Sequence, residues 1–206
     1  MPRVSAEYRA NRRAEILNAA AHRFARDGFH LTSMADIISE SGLSAGAVYR
    51  YFRSKEEIIG AVAETALTTA DEVFARLLAD NATPSPAEAV SAMVNGILSR
   101  AINDPAIGQD LTRIAVQAWG EALRNPEIRG RANDAYRRLR GHCAEVARRW
   151  QAAGNLPIDA VPEHVGAAML GLTQGFLLQH LLVEGTTAPD YLAGVHALLS
   201  PGTTAV

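Results

Sequence analysis

Cysteine is nearly absent: Cys143 is the only one in 206 residues. An intrachain disulfide is therefore excluded, and a reducing compartment fits. Lysine is as rare, with Lys55 alone among 19 arginines. Aromatic residues make up 6%, so a core must come largely from aliphatic side chains; hydrophobic residues, at 48%, suffice for one. The longest apolar stretches are short, or interrupted by Gly, Gln and His, and are not expected to span a membrane. No charged-then-apolar leader opens the sequence. Both features lead to the expectation of a cytoplasmic protein. A Gly-rich phosphate loop, a nucleophile elbow and paired metal ligands are also missing. His22, His30, His164 and His196 lie on separate segments. His142 and Cys143 are adjacent on one helix, so both cannot easily face one ion. No enzyme activity, metal or cofactor is expected.

Net charge is -2, which alone argues against a nucleic-acid partner. The distribution reverses that. Residues 1–55 hold nine basic groups (Arg3, Arg9, Arg12, Arg13, Arg23, Arg26, Arg50, Arg53, Lys55) against five acidic ones, for +4. The remaining residues carry -6. A basic head on an acidic body is the footprint of a DNA-binding module attached to a soluble partner domain.

The stretch from Thr32 to Lys55 contains the sharpest pattern. Met34, Ile37 and Ile38 share a helical face. Gly42 ends that helix and Leu43 plugs the turn. Ser44 then caps a second helix, whose Val48 and Phe52 point inward, four residues apart. Its outer face carries Ala45, Gly46, Tyr49 and Arg50. That face is small at its start and hydrogen-bonding further on, which suits a helix that must bring its N-terminus close to base edges in the major groove. Two short helices joined by a tight turn in this way form a helix-turn-helix.

The run Gly42-Leu43-Ser44-x-Gly46-x-x-Tyr49-x-Tyr51-Phe52, followed by Ser54-Lys55-Glu56, joins Ile16-Leu17-x-Ala19-Ala20, Phe24, Gly28-Phe29, Thr32-Ser33-Met34 and Ile37. On these residues the segment from about Arg9 to Val62 resembles the N-terminal domain of the tetracycline-repressor (TetR) family of bacterial transcriptional regulators. The match covers roughly the first third of the chain. The remainder is similar to the family in length and helical character.

Nine helices and no strands are expected: an all-α chain with an N-terminal three-helix head (1–55) and a C-terminal helical bundle (56–206) for effector binding and dimerisation. The first helix is read over 9–26, ended by Gly28. Ser54 and Glu57 read as a capping box opening the fourth, with Ile58, Val62, Ala66, Val73 and Leu77 on its apolar side. With no flexible linker after the head, a tilt of this helix would move it. Ser85, Pro86 and Glu88 start the fifth, and Asn103-Asp104-Pro105 breaks the chain again. A helix over about 162–183 is apolar almost all round, so it needs cover on every side. A second chain could supply that cover, giving a homodimer through the last two helices as the resemblance implies; a monomeric bundle is the alternative. Gly166, Gly171 and Gly175 would let helices approach closely.

The expected DNA-contacting set is Thr32, Ser33, Ser44, Ala45, Gly46, Tyr49, Arg50, Tyr51 and Lys55. Thr32 is read as an N-cap, a phosphate contact or both. Ser33 adjoins free backbone N–H groups that attract an anion. Tyr51 is either core or a phosphate contact. Lys55 sits one residue past a helix cap, where the dipole disfavours cations, and a phosphate there would explain it. Arg3, Arg9, Arg12 and Arg13 form a basic arm. Two heads related by a two-fold axis would read a palindromic operator.

The resemblance also implies a cavity for a small organic effector. Phe74, Met93, Gln117, Trp119, Tyr136, Gln174 and Phe176 are its expected lining, with plain core packing as the alternative for each. Arg137, Arg138 and Arg140 read as a solvated helix face. The leading expectation is a regulator, a repressor released by its effector; the second is a constitutive DNA-binding protein with a filled body.

Overall fold

The computed structural model describes residues 6–103 and 108–199. The side chains at 63, 65–67, 69, 100–103 and 108–111 lie outside the described residues, as do Arg3 and Asp104-Pro105; Ala66 is among those side chains. The element order is α1 (Ala6–Leu31), α2 (Met34–Ser41), α3 (Ala45–Tyr49), α4 (Lys55–Leu77), a single 3-10 turn (Ala79–Asn81), α5 (Pro86–Asn103), α6 (Gly108–Ala122), α7 (Pro126–Ala152), α8 (Pro162–Leu182) and α9 (Ala188–Leu199). No strand occurs among the described residues, so the all-α expectation holds. α1 starts earlier than expected; Gly28 ends its long part as read, since at φ 81 and ψ 163 the backbone leaves the helix, and a separate short turn follows to Leu31.

Two compact units form. One contains the residues up to Ala66 together with Arg100–Ala132; the other contains Leu67–Ser99 and the residues from Asn133 onward. In the first unit, α1 packs on α2 and α6. Its core holds Ile16, Ala20, Phe24, Phe29, Ile37, Val48, Phe52, Ile58, Val62, Ile114 and Ile128. Phe24 meets Phe29 edge to face, with ring centroids 4.7 Å apart. Val48 and Phe52 are buried as their spacing requires. Each such side chain contributes roughly 1.5–3 kcal/mol by leaving water.

In the second unit, Val73, Phe74, Val90, Met93, Val94, Cys143, Val146, Met169, Phe176 and Val195 are buried. Gly166 and Gly175 do bring elements together. A Cβ at Gly166 would meet the Ala144 backbone nitrogen, and one at Gly175 would touch the Tyr191 hydroxyl. Gly171 has nothing within 4 Å and faces outward. One expectation needs correction here. α8 has the length and hydropathy to cross a membrane. Its Gly166, Met169, Leu170, Thr173, Phe176 and Leu177 are buried within the unit, which makes that side a core face.

The fifth helix begins as read: Ser85 N–H donates to Glu88 at 2.7 Å and Glu88 N–H donates to Ser85 Oγ at 3.2 Å. At α4 the box is altered. Glu57 N–H donates to Ser54 Oγ at 3.2 Å, but the Glu57 carboxylate accepts from Arg53 N–H at 2.7 Å instead. α4 itself is 23 residues long, about 35 Å at 1.5 Å per residue.

Candidate nucleic-acid interface

α2 starts on a reciprocal cap. Asp36 N–H donates to Ser33 Oγ at 3.2 Å, and Ser33 N–H donates to Asp36 Oδ2 at 2.8 Å. The Ser33 hydroxyl adds a 2.6 Å bond to the same oxygen. That hydroxyl, with the backbone N–H after it, holds the Asp36 carboxyl below the usual aspartate range. Ser33 is thus the N-cap, and the expectation for Thr32 is corrected. Thr32 is 1% exposed, with its hydroxyl donating to the Gly28 carbonyl at 2.8 Å. It cannot cap α2 or reach a phosphate from there. The anion-attracting end of α2 already has a carboxylate on it, from Asp36.

Gly42 ends α2 at φ 65, a left-handed conformation that glycine adopts without steric penalty. Ser44 caps α3 by accepting from Ala47 N–H at 3.3 Å. Beyond it Ala45, Gly46, Tyr49 and Arg50 are exposed, Tyr49 by 50%. Nothing in the protein lies within 4 Å of where a Cβ at Gly46 would be. Tyr51, left open above, packs against the core of this unit and is only partly exposed.

Lys55 departs furthest from expectation. Its ammonium donates to the Phe29 carbonyl at 2.7 Å and to the Thr32 carbonyl at 3.1 Å. The basic arm also differs: Arg9, Arg12 and Arg13 lie within α1. Arg12 pairs with Glu15 at 2.6 Å and sits 5.1 Å from the Tyr8 ring centroid. Arg13 lies 5.3 Å over the Phe52 ring, a cation–π contact. Arg23 forms an ion pair with Glu40 of α2 at 2.8 Å, with His22 at 3.0 Å from the same carboxylate. Arg26 holds the Asp27 carboxyl down at about 2. Much of the positive charge on α1 is therefore engaged within the head.

The residues expected to line a cavity are divided. Gln117 and Trp119 belong to the first unit. Gln117 turns toward α1: its Oε1 is buried without a partner, 3.9 Å from where a Cβ on Gly28 would sit. Packing between α1 and α6 accounts for its position. In the second unit, Gln174 donates to the Tyr136 hydroxyl, joining α8 to α7. Phe74 is buried and stacks on His142 at 4.9 Å. Met93 accepts from Cys143 and Thr173 through its sulfur. Phe176 is buried between His180 and Tyr191. Sequence reasoning missed one cluster. Asp71 of α4 accepts from Arg138 Nε at 3.0 Å and lies 2.7 Å from His142 Nε2. Arg137, Arg138 and Arg140 are exposed, as read; Arg138 is in addition an ion-pair partner of Asp71 at the surface. No group of side chains suited to hold a metal occurs among the described residues.

A family model described as bacterial regulatory proteins of the tetR family matches residues 16–62. A second, described as the C-terminal region of BetI-type transcriptional repressors, matches residues 86–200. The chain belongs to the TetR family. It is a helix-turn-helix transcriptional regulator, not an enzyme. UidR, an HTH-type transcriptional regulator of Escherichia coli, is 28% identical over 190 residues, covering 91% of this chain and 90% of its own length. YfiR, another such regulator, from Bacillus subtilis, is 50% identical over 66 residues, 32% of each chain. Among solved structures, Salmonella enterica GusR matches with a TM-score of 0.72 at 24% identity, over 97% of this chain and all (100%) of its own. A transcriptional regulator from Saccharomonospora viridis, in complex with choline, matches with a TM-score of 0.74 at 24% identity, over 94% and 97%. At these identities the structures establish the fold alone.

Proposed function

We propose that this TetR-family regulator is a cytoplasmic repressor that binds a palindromic operator as a homodimer. Residues 1–55 contact DNA, and residues 56–206 bind an effector and dimerise. The observation that carries the reading is the exposed strip from Ser44 to Arg50 set over the buried pair Val48 and Phe52. Ala45 and Gly46 meet the groove floor, Tyr49 and Arg50 supply hydrogen bonds, and Ser44 addresses a phosphate, while Ser33 is engaged by Asp36. Tyr51 supports this strip from behind.

Dimerisation is supported by large apolar side chains left in water on the last two helices. Leu182 is 76% and Leu198 77% exposed, and Gly171 would admit a close helix. Two heads would then meet half-sites about one helical turn, ~34–36 Å, apart or a multiple of it. The effector is a small organic molecule lined by Phe74, Met93, Tyr136, Gln174 and Phe176; the choline complex of the Saccharomonospora regulator supports ligand binding in this fold. Release requires that the effector prefer the conformation whose heads do not fit adjacent grooves. Near-complete release takes about 5.5 kcal/mol of preference, with α4 as the lever.

The test is a gel shift with the DNA just upstream of the protein's own coding region. A discrete complex that competitor operator removes, and random DNA does not, supports the reading. Failure to retard any such fragment at low ionic strength refutes it.

A further inference from the structure

The stretch that carries α2 and α3 begins after Thr32 and ends at Ser54. Lys55 holds both of its ends. As the first residue of α4 it follows the stretch directly, and its ammonium reaches back 23 residues to the Thr32 carbonyl and 26 to that of Phe29. The Phe29 carbonyl lies in the last turn of α1, after the interruption at Gly28, where carbonyls lack partners within the helix. A cation there satisfies them and complements the negative end of the helix dipole. Thr32 is fastened beside it: its hydroxyl and its backbone N–H both donate to the Gly28 carbonyl, at 2.8 and 3.3 Å. One ammonium therefore ties the end of α1, the entry to α2 and the start of α4.

We propose that Lys55 is a positioning residue for DNA reading: it sets the attitude of the α2–α3 pair on α1 and does not serve as a phosphate contact. The proposal rests on the DNA-binding reading above and assigns a role within it. Two charge-assisted bonds account for the placement of a cation at the start of α4, which the dipole would otherwise oppose. A residue acting this way differs from a phosphate contact in what its loss changes. Removing a phosphate contact weakens binding to all duplexes alike and lowers the salt slope by about one. Removing the clamp misaligns the α3 face, so specific binding falls while the charge offered to DNA is unchanged.

The experiment uses the full chain and Lys55→Met, with Lys55→Gln as a second variant. Each is titrated by fluorescence anisotropy against a duplex selected from a random pool by the wild type, and against a scrambled duplex, over a salt series. Circular dichroism and thermal melts define the folded fraction. The expected result is a loss of about tenfold or more on the selected duplex, scrambled-duplex affinity within about twofold, and an unchanged salt slope. An equal loss on both duplexes with the slope reduced by about one overturns the proposal, as does unaltered affinity for the selected duplex. Should both variants fail to fold, the wild type still decides. Because Lys55 is the chain's only lysine, acetylation of its amine can be followed by mass spectrometry without mutation. Slow modification relative to the N-terminal amine, unaffected by added DNA, supports the clamp; fast modification suppressed by DNA overturns it. If the wild type binds no duplex, the DNA-binding reading itself has failed, and slow acetylation still reports whether the clamp exists.

Discussion

Gly166 of α8 lies so close to Ala144 of α7 that a Cβ added at 166 would sit 2.7 Å from the Ala144 backbone nitrogen and 3.0 Å from the Arg140 carbonyl oxygen. Both obstacles are backbone and cannot swing away. Gly166→Ala should destabilise the chain by about 1–3 kcal/mol, the usual range for overpacking, measured as a shift in urea midpoint. Gly171→Ala on the same helix meets nothing within 4 Å and should raise stability by up to about 1 kcal/mol through helix propensity. Equal effects at the two positions would contradict this packing.

Gly46 presents the opposite case. Its place in α3 carries a propensity cost of about 1 kcal/mol relative to Ala, yet no part of the protein needs the space. On the proposed DNA-binding reading, the groove floor is what needs it. Gly46→Ala should raise the melting temperature while cutting DNA affinity at least tenfold. A variant that melts higher and binds DNA as well as the wild type would remove Gly46 from the interface.

Asp36 links the head to pH. Its folded value lies below the ordinary 3.8 because Ser33 donates to its charged form. A carboxylate depressed in this way adds stability that is fully present above the unfolded value and is lost as pH falls through the folded one. Asp36→Asn should therefore melt below the wild type at pH 7, and the gap should close in acid, below 3.8. A gap that persists or widens there would show that the carboxylate is not held by Ser33.

Leu182 and Leu198 test the assembly. Leu182→Glu combined with Leu198→Glu places charge on surfaces that are already exposed within one chain, so folding should survive. On the proposed dimer, sedimentation should show a dimer for the wild type and monomers for the variant, and operator affinity should fall with loss of the second head. A variant that remains dimeric would move the interface elsewhere.

The head was legible because its signals are local. Val48 and Phe52 are four residues apart and both turn inward; Gly42 takes the left-handed turn that only glycine adopts readily. Ser85 and Glu88 meet because a capping box depends on spacing alone. The readings that changed depend on neighbours remote in sequence, or on a choice between adjacent hydroxyls. Thr32 and Ser33 are both able to cap; Asp36, three residues after Ser33, decides between them, and that spacing was available in the sequence. Nothing local marks the Phe29 and Thr32 carbonyls as partners of Lys55. Periodicity placed Gln117 among apolar residues but could not show that Gly28 of α1 would lie across from it. Arg138 is exposed as read, but its pairing with Asp71 was not legible, because the two are 67 residues apart.

The central claim is that the strip from Ser44 to Arg50 reads duplex DNA. An anisotropy titration of the wild type and of Tyr49→Phe with Arg50→Ala, on a duplex selected from a random pool at low ionic strength, tests it most directly. The account predicts saturable binding by the wild type that weakens steeply with added salt, and a loss of about tenfold or more in the double variant with its melting temperature retained. Indistinguishable curves for the two proteins, or no binding by either, would contradict it.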